Sequence, residues 1–153
     1  MKLYKRSGTY QATNVDFDPA TGVGRSYGHW HLTRKIGDTV YLNVHPYSKT
    51  TIRHIAKVRA VLQELGIRYI RVSTAVNLRS LDYGVVGAEL RDSMEKVEDL
   101  FKLIRESRQD TAIALTRKAK LTDLMTLVDN LTHMRDALNS ENAKDDLVIW
   151  DVI

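Results

Sequence analysis

Histidines are concentrated in one stretch of this sequence, where their spacing suits metal binding. Four of the five histidines lie between Tyr27 and Leu65. His29 and His31 are two residues apart, so on a β-strand their side chains point the same way, about 6.5 to 7 Å apart. A third imidazole, from His45 on a paired strand, would complete a facial set of zinc ligands. Carboxylates to orient such ligands are scarce here, so we predict no cofactor and keep zinc at this cluster as an alternative.

The same stretch also combines cations, aromatic rings and hydroxyls, which is the chemistry of phosphate and base recognition. Arg53 and Lys57 are one helical turn apart, and Lys49 would stand beside a helix start, whose free N–H groups attract anions. Trp30 is a further candidate for stacking on bases. The predicted nucleic-acid or phosphate site comprises Lys35, Tyr41, Tyr47, Ser48, Lys49, Thr50, Thr51, Arg53 and Lys57.

A β-hairpin over residues 28–44 is predicted to position these side chains. Apolar residues alternate along both of its strands, and aligning the two apolar rows puts Leu32 opposite Leu42. This register requires a three-residue loop, Ile36-Gly37-Asp38. The opposite face of the hairpin would then carry the three imidazoles together with Tyr41.

An amphipathic helix is predicted to follow the hairpin. Pro46 ends the strand ladder because it has no backbone donor, and the hydroxyl residues after it are candidate N-caps. Apolar residues recur at helical spacing from Ile55 to Leu65, and Gly66 is the stop signal.

The junction of hairpin and helix carries a resemblance. The sequence Tyr47-Ser48-Lys49-Thr50-Thr51-Ile52-Arg53-His54 follows a strand ending in Val-Tyr-Leu-Asn. It resembles small bacteriophage-encoded proteins of unknown function, in which a hairpin precedes Tyr-Ser-x-Thr-Thr-x-x-His at a helix start. The resemblance covers residues 28–65. It implies a phage or prophage origin and implies no activity.

The rest of the chain alternates strand-like and helix-like segments. The remaining predicted strands are 1–18, with 9–17 as its central part, 67–72, 111–116 and 147–153. Two more helices are predicted, one from a capping box at Asp92 and Glu95 to near Ser107, and one over 121–138, closed by Asn139-Ser140. Residues 16–28 are predicted to form a loop, and 73–91 a loop or a short strand near 83–89. This pattern predicts an α+β fold with a mixed, mostly antiparallel sheet and three main helices.

Charge divides the chain near residue 80. Residues 1–80 hold 13 Lys and Arg against 4 Asp and Glu, whereas residues 81–153 hold 10 against 15. We therefore predict a basic part, 1–80, and an acidic part, 81–153, as one compact domain or two tightly packed halves. Oppositely charged halves also fit a homodimer. The lack of cysteine, of a signal-peptide pattern and of a membrane-length apolar run predicts a cytoplasmic protein.

The residue types favour binding over catalysis. No serine sits in a nucleophile-elbow pattern, and the basic part lacks the clustered acids that a magnesium-dependent nuclease needs. We predict a phage-type accessory protein that binds DNA or RNA through its basic hairpin and helix. One alternative is a phage factor that binds a host protein through its acidic helices or residues 73–91. Another is a metal-dependent hydrolase at His29, His31 and His45.

Overall fold

The computed structural model describes residues 3–107 and 111–152, and the side chains through Glu141. Within these residues the chain forms eight strands and three α-helices, so the predicted α+β class is confirmed. The strands are β1 Tyr4–Arg6, β2 Thr9–Ala12, β3 Val15–Asp18, β4 Val23–Ser26, β5 Trp30–His31, β6 Thr33–Ile36, β7 Thr39–Asn43 and β8 Tyr69–Val72. The helices are α1 Lys49–Glu64, α2 Tyr83–Glu106 and α3 Ala112–Val152.

The first five strands form one antiparallel meander, which we call the meander sheet. The prediction of a single opening strand over 1–18 is wrong, because the chain turns twice within it. Arg6 pairs with Thr9, and the intervening Ser7 and Gly8 both have positive φ, 53° and 83°, as a tight type I′ turn requires. The predicted loop over 16–28 is also wrong, since most of it forms the hairpin of β3 and β4.

The strands β6, β7 and β8 form a separate mixed sheet, with β6 antiparallel and β8 parallel to β7. The predicted hairpin register is wrong by one residue, because Thr33 rather than Leu32 pairs with Leu42. The loop is therefore the two residues Gly37-Asp38, and Gly37 supplies the positive φ of 60° that such a turn needs at its first position. The chain passes from one sheet to the other at Leu32.

Helix α1 connects β7 to the parallel strand β8 and packs on both sheets. It begins as predicted, because the Ser48 side chain accepts a hydrogen bond from the backbone N–H of Thr51. Gly66, with φ 67°, follows its end. Its apolar face packs with Phe17 of the meander sheet and Leu42 of the mixed sheet in one buried core.

Helix α2 begins ten residues before its predicted capping box, so the predicted loop or strand within 83–89 is wrong. Its N-cap is Asp82, whose carboxylate accepts a hydrogen bond of 2.8 Å from the N–H of Val85. A 3₁₀ turn, Leu78–Ser80, precedes it. The buried residues Val86, Leu90, Leu100 and Ile104 lie on one face at helical spacing.

Helix α3 replaces three predicted elements. The predicted strands 111–116 and 147–153 and the predicted stop at Asn139-Ser140 are wrong, because residues 112–152 form one helix. Thr111 precedes it, and its hydroxyl accepts a 3.1 Å hydrogen bond from the N–H of Ala114. A short apolar run is compatible with a strand or with a helix. Here the Thr111 cap favours the helix.

The mixed sheet is shared between two cores. Val40 and Leu42 point to α1, whereas Tyr41, the residue between them, points to α2 and α3, where it packs with Leu131 and Met134. Residues on both sides of position 80 thus contribute to the second core. None of the helices in the described part of the chain is both long and apolar enough to cross a membrane.

Candidate nucleic-acid interface

A buried hydrogen bond joins the meander sheet to α1. The Ser26 hydroxyl lies 2.5 Å from Nδ1 of His54, and the two residues are only 1% and 4% exposed. Ser26 is the last residue of β4, and His54 lies on the buried face of α1. A polar pair sealed in this way stabilises one fixed approach of strand to helix, because separating it would leave both groups without partners.

The surroundings of the His54 imidazole disfavour its charged form. Burial lowers its pKa first, and the positive charges of Lys57 and Arg53 lower it further. The electrostatic effect also locates these two cations beside the Ser26–His54 contact. A neutral imidazole whose Nδ1 is unprotonated can accept a hydrogen bond from the Ser26 hydroxyl, which a charged one cannot.

Three cations lie along the outer side of α1. Lys49 and Arg53 are exposed and Lys57 is half-buried. No carboxylate in the described part of the chain forms a salt bridge with any of the three, and the first turn of α1 holds no acidic residue. These charges are therefore available to an external anion.

Aromatic rings border the same end of α1. The rings of Trp30 and Tyr47 are stacked, with centroids 5.2 Å apart and planes at 29°. Trp30 is half-buried against the core, while Tyr47 is 67% exposed. On the β4–β5 turn, the Tyr27 ring is 54% exposed and lies 5.5 Å from the ring of His54. Two exposed rings, those of Tyr27 and Tyr47, thus lie near α1, one against His54 and one directly before the helix.

We call this region the turn–helix surface. It combines the loop rings of Tyr27 and Tyr47 and the Trp30 ring of β5 with three cations of α1. Such a surface suits a polyanion that also carries planar groups. Its members are Tyr27, Trp30, Tyr47, Lys49, Arg53 and Lys57.

Two predicted site residues lie elsewhere. Tyr41 is fully buried beneath α3, where its hydroxyl lies 2.6 Å from Nδ1 of His133. Burial, with the charge of Asp136, raises the pKa of Tyr41 to about 12, and its ring cannot stack on a base. The stem of Lys35 packs over Gly22, at the other end of β4 from the His54 contact, about 13 Å along an extended chain.

The predicted hydroxyls serve the helix cap. The hydroxyls of Ser48 and Thr51 lie 2.9 Å apart, and Ser48 also accepts from the N–H of Thr51. Thr51 is buried and Thr50 half-buried. The hydroxyls of Ser48 and Thr51 thus fix the start of α1, where Lys49 lies.

The three histidines of the predicted metal cluster are not brought together. His31 lies on β5 of the meander sheet, whereas His45 follows β7 of the mixed sheet, and Nδ1 of His29 lies 3.0 Å from the carbonyl oxygen of Tyr27. Burial first, then guanidinium groups led by that of Arg79, lowers the pKa of His31. Among the residues that the structure describes, no group of three or more His, Asp or Glu is placed to hold a metal ion.

Sequence reasoning missed Ser26 and Tyr27. Both fall in the segment predicted as loop, and Ser26 meets His54 across 28 positions of sequence. Two signals pointed to a turn here, since Gly28 follows Tyr27 and a Trp begins the next strand. Nothing local indicated the contact with α1.

Two arginines of the basic part, Arg25 and Arg34, have partners within the protein. Arg25 forms an ion pair with Asp16, at 3.2 Å, across neighbouring strands. Arg34 donates to the carbonyl oxygens of Leu78 and Leu81, at 3.0 and 2.6 Å, and so ties the 3₁₀ turn to β6. These two arginines are already committed to the fold, in contrast to the cations of α1.

Comparison with known proteins identifies no relative: no protein-family model, no curated protein and no solved structure matches the chain.

Proposed function

We propose that this protein binds nucleic acid through the turn–helix surface and does not act as an enzyme. The observation that carries the proposal is the stacked pair of Trp30 and Tyr47 directly before a helix with cations that lack carboxylate partners in the described chain. Cations neutralise phosphates and release their counterions, while aromatic rings stack on bases.

The recognition is expected to depend on charge and shape more than on sequence. Lysine and arginine contacts with phosphates position a nucleic acid but do not read its bases. Stacking is tolerant of sequence as well, since every base has two flat faces. We therefore propose an accessory protein that covers or guides a strand.

The motif that resembles phage proteins adjoins the turn–helix surface. Tyr47 stacks on Trp30, Ser48 caps α1 through Thr51, and His54 holds β4 through Ser26. Of these four motif residues only Tyr47 belongs to the turn–helix surface, while the other three fix α1 and β4 beside it. A phage-type origin, with action in the host cytoplasm, belongs to this proposal.

The test is a fluorescence-anisotropy titration with single- and double-stranded DNA and RNA at two salt concentrations. Wild-type protein is expected to bind at low salt and to lose affinity as salt rises. A variant with Lys49→Glu, Arg53→Glu and Lys57→Glu should bind weakly. Absence of wild-type binding at low salt would overturn the proposal.

The matched control reverses three exposed charges on α2. It produces the same change in net charge away from the turn–helix surface. Its binding should stay close to that of the wild type, and an equal loss in both variants would show that net charge alone drives association. The control substitutions are Arg91→Glu, Lys96→Glu and Lys102→Glu.

A second candidate function is binding of a partner protein, favoured by an apolar groove between α2 and α3. Met94 and Met125 are 54% and 51% exposed there, and methionine adapts its shape to a ligand. The groove has a volume of about 300 Å³ and carries two acidic side chains. Its charge fits an amphipathic helix with a basic edge. It is lined by Met94, Val97, Glu98, Met125, Val128 and Asp129.

This candidate is tested with a synthetic amphipathic peptide of leucine and lysine. Binding should fall in a variant with Met94→Gln and Met125→Gln, while nucleic-acid binding is unchanged. A peptide of the same composition in scrambled order is the control. Equal binding of both peptides would reject the groove as a helix site, and a dimer dissolved by the double variant would assign it to a second copy of the chain.

A further inference from the structure

The exposed ring of Tyr47 offers one flat face to solvent. Its other face is stacked on Trp30, and Trp30 is held by its packing against the core. An exposed tyrosine normally samples several rotamers. Here the stack holds the ring against a fixed neighbour, at the offset geometry that aromatic pairs prefer.

The backbone around Tyr47 is also fixed. Its N–H donates to the carbonyl oxygen of His45, at 2.9 Å. The residue between them is Pro46, whose ring fixes its own φ angle. The next residue, Ser48, is the N-cap of α1. Both the ring and the backbone that carries it are therefore held in place before a ligand binds. Stacking of a ligand on this ring then costs the protein little conformational entropy.

We propose that the turn–helix surface selects single-stranded nucleic acid, with an unpaired base stacked on the outer face of Tyr47. This inference rests on the proposed function and names its ligand. A base on Tyr47 would extend the existing stack to three rings. The backbone of the same strand then passes Lys49, in the first turn of α1, and Arg53, one turn further on.

A duplex cannot use this ring. In a duplex both faces of each base are covered by neighbouring pairs, and exposing one requires unstacking and unpairing. Double-stranded nucleic acid therefore reaches only the cations, whereas a single strand reaches both the cations and the ring.

The experiment separates stacking from phosphate binding. Oligothymidine of about 10 nucleotides is compared with an abasic oligonucleotide of the same length, which keeps the phosphates and lacks the bases. Wild-type protein should bind oligothymidine about 5- to 140-fold more tightly, the range expected for one stacked base. Tyr47→Leu should remove this difference and leave abasic binding unchanged.

Two controls sharpen the result. Tyr47→Phe keeps the ring and should keep the preference for bases, whereas Tyr83→Leu, which alters another exposed tyrosine, should bind like the wild type. Equal wild-type affinity for the two oligonucleotides would overturn the inference and leave the proposed function intact. Absence of binding to both at low salt would overturn the proposed function as well.

Discussion

The Ser26 hydroxyl and Nδ1 of His54 lie 2.5 Å apart in the interior, and this bond fixes β4 against α1 beneath the turn–helix surface. Ser26→Ala would leave the imidazole nitrogen buried without its partner. We expect the free energy of unfolding to fall by about 1–3 kcal/mol, measured by urea denaturation. Ser80→Ala, at an exposed serine, should change stability by less than about 0.5 kcal/mol. Equal effects of the two substitutions would contradict a structural role for the bond.

The same imidazole makes stability depend on pH. Because its pKa is lowered in the folded protein, the unfolded chain takes up a proton first as the pH falls. The contribution of His54 is therefore complete above its ordinary pKa of about 6.5 and is lost as the pH falls below that value. We expect His54→Asn to lose less stability than the wild type between pH 7.5 and pH 5.5, in urea denaturation. Parallel losses in the two proteins would reject this account.

Tyr41 is buried, so its substitution should affect stability and not ligand binding, unlike that of the exposed Tyr47. Tyr41→Phe removes the hydrogen bond to His133 and should lower the free energy of unfolding by about 0.5–1.5 kcal/mol. It should leave nucleic-acid affinity unchanged, because the ring lies beneath α3 and not on the turn–helix surface. A loss of affinity without a loss of stability would restore Tyr41 as a ligand contact.

Gly24 lies where the meander sheet packs closely against β6 and α1. A Cβ at this position would lie 3.1 Å from Oγ1 of Thr33 and 3.3 Å from the side chains of Phe17 and Val58. Gly24→Ala should therefore destabilise the protein by about 1–3 kcal/mol. Gly87→Ala is the control, since a Cβ on this α2 glycine meets nothing within 4 Å, and it should stabilise the helix by up to about 1 kcal/mol. Thermal unfolding should therefore show a lower midpoint for Gly24→Ala and an unchanged or higher midpoint for Gly87→Ala.

The parts of the fold that were predictable had complete local signals. Helix α1 has a hydroxyl cap at Ser48, a clear apolar face and Gly66 beyond its end, so both ends were predicted. Strand β8 was likewise predicted from the alternation of its residues. The hairpin register was not predicted, because the chain changes sheets at Leu32. The two halves of the predicted strand, β5 and β6, therefore pair with different strands.

Helices α2 and α3 show what local signals miss. Gly84 and Gly87 disfavour a helix by propensity, yet burial of Val86 and Leu90 against α3 outweighs that cost. The candidate site was predicted in its cations and in Tyr47, which are neighbours in sequence. Trp30 was also named, whereas Ser26 and Tyr27 contact His54 of α1 through tertiary contacts that no local pattern encodes.

The central claim is that the cations of α1 contact phosphates, and the slope of log affinity against log salt concentration tests it most directly. Arg53→Gln and Lys57→Gln should each reduce the magnitude of the slope by about 1, because each removes one phosphate contact. Lys96→Gln, at an exposed position on α2, should leave the slope unchanged. Equal slopes in all of these proteins would contradict the account and exclude α1 as the phosphate-binding surface.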